Sequence, residues 1–63
     1  MGQYEPMQKI YCVFSGEIVG SNPKRAKDLK GVERVHFFDM RKGVYVAVKL
    51  SVFNGRYRVE IEQ

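Results

Sequence analysis

The stretch Val44-Tyr45-Val46-Ala47-Val48-Lys49-Leu50-Ser51-Val52-Phe53-Asn54-Gly55-Arg56-Tyr57-Arg58-Val59-Glu60-Ile61-Glu62 decides how this chain is read. Residues 44–53 alternate strictly, with Val44, Val46, Val48, Leu50 and Val52 on one side and Tyr45, Ala47, Lys49, Ser51 and Phe53 on the other. That period is the period of a half-buried strand. Asn54-Gly55 follows, the dipeptide that best tolerates the two positive φ angles of a type I′ turn, and alternation resumes through Glu62. The pattern predicts a tight hairpin. Its register sets Phe53 opposite Arg56, Val52 opposite Tyr57, Leu50 opposite Val59, Lys49 opposite Glu60 and Val48 opposite Ile61. Apolar residues then meet on the core face, and a Lys–Glu pair worth a few tenths of a kcal/mol at most sits on the other.

Upstream, Val32 to Asp39 reads as a second strand, joined to the first through Met40-Arg41-Lys42-Gly43. A four-residue loop with Gly43 in the left-handed region places Phe37 opposite Val46 and Val35 opposite Val48. A five-residue loop would turn His36 and Arg34 inward, and burying an unpaired guanidinium is costly, so the shorter loop is expected. Between Asn22 and Gly31 the signals are helical: Asn22 as N-cap, Pro23 at the first position, Ala26 and Leu29 three apart, and Gly31 as a left-handed stop. Lys24 and Arg25 in the first turn oppose the helix dipole, which limits this helix to about two turns or fewer. Gln8 to Ser15 reads as a strand apolar on both faces, the mark of an interior strand. Ser15-Gly16 either turns it back into a short strand at Glu17 to Val19 or forms a bulge. The expected fold is a small α+β domain over residues 1–63. It is mainly antiparallel sheet, an N-terminal strand plus a three-stranded C-terminal meander, with one short helix on one face.

Leu29-Lys30-Gly31-Val32-Glu33-Arg34-Val35, with Gly43-Val44-Tyr45-Val46 after it, resembles the helix, strand and hairpin pattern of ferredoxin-like heavy-metal-associated domains. The match covers under half the chain. The paired cysteines of that family are absent between Gly16 and Pro23, so the resemblance implies a fold pattern and not metal trafficking.

Size and composition exclude more than they suggest. A chain of 63 residues and 7.3 kDa makes one domain. At this length a chain buries only roughly 60% of its unfolded surface, too little to build a core and also enclose a deep catalytic pocket. An enzyme is not expected. Hydrophobic content of 44% with 13% aromatic is that of an ordered domain, and no run approaches the ~18 apolar residues of a membrane-spanning helix. The lone Cys12 forms no internal disulfide, which points to a reducing cytoplasm. The N-terminal Met1-Gly2-Gln3-Tyr4-Glu5-Pro6 carries no apolar signal segment. Stability below ~70 to 80 residues is marginal without disulfides or metal, which raises the expectation of a homodimer.

Chemistry-bearing constellations are few. His36 is the only histidine and Cys12 the only cysteine, with no Cys-x-x-Cys or His-x-x-x-His spacing, so no metal site or cofactor is expected. Cys12 lies in an apolar strand, where a thiol is usually buried, protonated and inert. Gly16, Gly20 and Gly31 lack the spacing of a phosphate-binding loop.

Charge is the informative feature. From Lys24 to Arg58 lie ten basic residues against three acidic ones, a net of +7, whereas Glu5, Glu17, Glu60 and Glu62 against Lys9 leave the ends at −3. Such polarity steers anionic partners. In the expected register the outward face of the meander carries Arg34, His36, Phe38, Tyr45, Lys49, Phe53, Arg56 and Arg58, with Arg41 and Lys42 in the adjoining loop. Interleaved rings and cations suit nucleic acid, DNA or RNA: rings stack on bases at roughly 1 to 3 kcal/mol each, and cations meet phosphates. Phe38, Tyr45 and Phe53 are the candidate stacking residues. Arg34, Arg41, Lys42, Lys49, Arg56 and Arg58 are the candidate phosphate contacts, and Lys24, Arg25 and Lys27 form a secondary basic cluster. Two other readings stay open: the aromatics are packing beneath a second copy or the first strand, or the surface docks an acidic protein as an inhibitor or regulator would.

Overall fold

A computed structural model describes residues 7–62. Met1–Pro6, read above for targeting signals, lie outside the described residues. The elements run β1 (Met7–Cys12), β2 (Ile18–Ser21), β3 (Lys24–Lys27), β4 (Glu33–Asp39), β5 (Val44–Lys49), α1 (Leu50–Arg56) and β6 (Tyr57–Glu62). They form two three-stranded antiparallel sheets, ordered β2-β1-β6 and β3-β4-β5. This is a small, mainly antiparallel α+β fold, as the alternation and turn chemistry predict, but two segments take other roles.

The first correction concerns the opening stretch. Residues 50–56 are helix, and β6 pairs with β1 (Met7 opposite Glu62, Cys12 opposite Tyr57) instead of folding back on β5. The reason is burial. In a continuous strand Leu50 and Phe53 fall on opposite faces; in a helix, three residues apart, both turn toward the core. Phe53 is 6% exposed and meets Phe37 edge-on at 5.8 Å and Tyr57 in a stack at 5.1 Å between ring centroids. Lys49 provides no side-chain cap and the first turn holds no acidic residue. Such a helix is held by tertiary packing and not by its own propensity. The predicted register between 48–53 and 56–61 is therefore absent, and Lys49 faces Arg34 instead of Glu60.

The second correction concerns 22–31, which is not helical. Asn22 takes a positive φ of 52° and, with Pro23, bends the chain from β2 in one sheet to β3 in the other. Lys24–Lys27 then pairs with β4. Asp28 replaces the expected helix end: its carboxylate accepts the N–H groups of Lys30 and Val32, each at 2.9 Å, and Gly31 at φ 82° completes the turn. The three-stranded meander thus exists as β3-β4-β5. With no helix between first strand and meander, the ferredoxin-like pattern does not hold.

The β4–β5 hairpin is as expected. Phe37 faces Val46, Val35 faces Val48 and Phe38 faces Tyr45, across a loop whose Gly43 has φ 72°. The buried Asp39 carboxylate accepts the Arg41 and Lys42 N–H groups at 2.9 and 3.2 Å, which fixes that loop. The sheets enclose Ile10, Cys12, Val19, Val35, Phe37 and Phe53, with Val46, Val48, Leu50 and Tyr57 packed around them. Gly20 is required here, since a Cβ on it would lie 2.8 Å from both a Phe37 ring carbon and the Phe38 carbonyl oxygen.

Candidate nucleic-acid interface

Alternation on β4 sends Val35, Phe37 and Asp39 into the protein and leaves Arg34, His36 and Phe38 outside. Cross-strand pairing extends that outer face: Lys24 lies opposite His36, Ala26 opposite Arg34, Ala47 opposite His36, Tyr45 opposite Phe38 and Lys49 opposite Arg34. No outward position of these three strands holds a carboxylate. Phe38 and Tyr45 remain 42% and 79% exposed although their rings meet edge-to-face at 5.2 Å. A groove of about 380 Å³ runs beside them, lined by Ser21, Asn22, Lys24, His36, Phe38 and Tyr45. Asn22 accepts the Gln8 N–H through Oδ1 at 3.2 Å, which leaves its amide nitrogen as the group it can offer.

The candidate residues divide. Arg34, Phe38, Tyr45 and Lys49 share the outer face, and Arg41 and Lys42 occupy the loop that follows Phe38 and Asp39. Lys24, assigned above to a secondary cluster, joins the same face beside His36. Phe53 does not: it is core. Arg56 ends α1, and Arg58 lies in the other sheet, where its guanidinium sits 4.8 Å from the Tyr11 ring centroid and bonds Glu60 at 2.8 Å. Arg25 and Lys27 point to the opposite side of β3 from Lys24, and Arg25 pairs with Glu33 at 2.7 Å.

Arg34 is also engaged, donating to Asp28 at 2.9 Å. That bond, followed by the Val32 N–H, holds the Asp28 carboxyl below its ordinary pKa. Among the described residues no ion pair engages Lys24, Lys42 or Lys49.

A second hollow of about 250 Å³ opens between the sheets at Pro23, Leu50, Phe53 and Val59, and its walls are largely apolar. Cys12 is buried; the Ser15 side chain first, then the Ser15 and Phe14 N–H groups, hold its thiol below the ordinary value against the effect of burial. Among the described residues no three His, Cys, Asp or Glu groups are placed to hold a metal ion, and no helix is long and apolar enough to cross a membrane. Compared with protein-family models, with curated proteins and with solved structures, the chain matches none.

Proposed function

We propose that this protein binds nucleic acid on the outer face of β3-β4-β5, as a cytoplasmic homodimer without catalytic activity. The observation that carries the reading is the exposed Phe38–Tyr45 pair set among Lys24, His36, Arg41, Lys42 and Lys49 on a face with no outward carboxylate. Exposed rings supply stacking surface for bases, and mobile ammonium and guanidinium groups supply phosphate contacts. The groove beside the rings admits an unstacked base, which a rigid duplex presents less readily.

The test is titration of labelled single-stranded and duplex oligonucleotides at low and physiological salt. If about four phosphates are neutralised, affinity falls roughly 100-fold between about 50 and 200 mM salt. Tyr45→Ala and Phe38→Ala should each weaken single-strand binding by roughly 1 to 3 kcal/mol while the protein stays folded. Absence of binding at low salt sinks the proposal, and leaves the basic face to an acidic protein partner.

A further inference from the structure

Each sheet has two edges, and natural sheets guard exposed edges with charge, bulges, brevity or cover. Three of the four edges here are guarded. β3 carries Lys24, Arg25 and Lys27 within four residues. β6 carries Arg58 and Glu60. β2 is four residues long, pairs irregularly with β1, and has its Val19 carbonyl covered by the Met40 N–H at 2.8 Å. β5 is the exception: Val44-Tyr45-Val46-Ala47-Val48 passes five residues before its first charge at Lys49, and among the described residues no strand pairs with its outer side. Such a strand combines high β propensity with unpaired backbone groups along one side.

We propose that the β5 edge pairs antiparallel with the β5 edge of a second copy, about a twofold axis through Ala47. Several observations select this occupant and register. An antiparallel pair keeps both sheet faces intact only when it centres on a residue, since a half-residue offset would set an inward valine opposite an outward side chain. Centring on Ala47 places the smallest side chain of the strand at the axis. It also sets Val46 opposite the second copy's Val48, and Tyr45 opposite the second copy's Lys49. The 79% exposed Tyr45 ring of each copy thereby gains one cation, Lys49 of the other copy, so the contact is made twice per dimer. No like charges fall opposite one another across the seam, and the contact is self-complementary and closed.

The pairing makes one six-stranded sheet, ordered β3-β4-β5-β5-β4-β3, in which the two outer faces run on as one surface. At ~4.8 Å per strand, the two β3 strands lie about 24 Å apart, so one extended ligand could reach both Lys24 side chains. That last consequence rests on the nucleic-acid reading; the pairing itself does not, and its test uses no nucleic acid.

The experiment is sedimentation equilibrium, from low micromolar to near-millimolar protein. Wild type should sediment at twice the 7.3 kDa chain mass. Ala47→Lys, at an exposed position, should shift to the single-chain mass with a far-ultraviolet spectrum that still shows a folded chain, and Ala47→Glu should do the same. The melting temperature of each should fall only by what loss of the dimer removes and should no longer depend on protein concentration. An equimolar mixture of the two variants should recover the doubled mass, because opposite charges then face each other at the axis. Ile61→Lys, on the β6 edge, should leave the dimer intact. A monomeric wild type at all concentrations, a dimeric Ala47→Lys, a mixture that stays monomeric, or loss of the dimer in Ile61→Lys would each overturn the proposal.

Discussion

Replacing Gly55 by Ala separates the helix at 50–56 from the hairpin turn that Asn54-Gly55 advertises, because the two conformations predict opposite signs. In α1 Gly55 is not in the left-handed region, and a Cβ built on it meets nothing within 4 Å. Alanine there introduces neither strain nor clash. Its effect is to remove conformational freedom from the unfolded chain, a stabilisation of roughly 0.5 to 1 kcal/mol. In a type I′ turn the same position needs a positive φ, and alanine would cost about 1 to 2 kcal/mol. The readings therefore differ by about 2 kcal/mol, a large fraction of the roughly 3 to 9 kcal/mol that a domain of this length commands. Gly31 and Gly43 are internal controls: a Cβ at either also meets nothing within 4 Å, but their φ values are 82° and 72°. Thermal unfolding followed by circular dichroism should show Gly55→Ala melting about 2 to 8 °C above wild type, and Gly31→Ala and Gly43→Ala several degrees below it. A Gly55→Ala variant that falls with the other two would refute the helix and restore the hairpin.

Phe53→Ala removes a buried ring with two aromatic partners and should cost about 3 to 5 kcal/mol, enough to unfold much of the population in a urea titration; a loss under 1 kcal/mol would contradict its place in the core. Gly20→Ala should cost at least about 1 to 3 kcal/mol, since one of its clashes is with the Phe38 carbonyl, which no side-chain rotation relieves. The Asp28 pKa is lower in the folded state than in the unfolded one, so the stability it contributes is present above the ordinary carboxylate pKa and fades as pH falls through the folded value. Urea midpoints taken from neutral pH downward should thus lose less in Asp28→Asn than in wild type below about pH 4, and identical acid limbs would count against the Arg34 contact. In oligonucleotide titrations Lys42→Ala should reduce the slope of log K against log salt by about 1, whereas Arg58→Ala should leave it unchanged; the reverse result would move the interface to the other sheet.

Much of the β4–β5 hairpin is legible because its determinants are local: a two-residue period on each side of a loop that ends in a left-handed glycine. The helix at 50–56 is illegible for the opposite reason. Its residues continue the alternation of β5, and what overrides that period is the burial of Phe53 against Phe37, a partner on β4 that no local window contains, with Tyr57 just past the helix stacked on the same ring. One sequence signal did bear on it. Gln8 to Ser15 is apolar on both faces, which marks an interior strand, and an interior strand needs two neighbours. In the structure those two neighbours are β2 and β6, in the order β2-β1-β6. Asn22 and Gly31 misled because residues that cap helices also serve tight turns: both tolerate positive φ, and here they use it in bends on either side of β3.

The same refolding of the C-terminal third redistributes the charge. Were 56–62 the third strand of the meander, Arg56 and Arg58 would add to the outer face; with β6 in the other sheet, Arg58 instead packs on Tyr11 and pairs with Glu60. Lys24 takes their place, because the segment that carries it is an edge strand beside β4 and not a helix. Two of the remaining arginines, Arg25 and Arg34, are committed to Glu33 and Asp28, and in Arg34 the pairing relieves repulsion from Lys49 directly opposite. Of the outer-face lysines, none of which has an ion pair among the described residues, Lys24 and Lys42 lie toward the end of the face where Phe38 and Tyr45 are exposed, and Lys49 lies opposite Arg34 at the other. An anionic ligand that contacts rings and free cations together is drawn to that end, and Arg34 at the far end works chiefly to hold the Asp28 turn that positions β3.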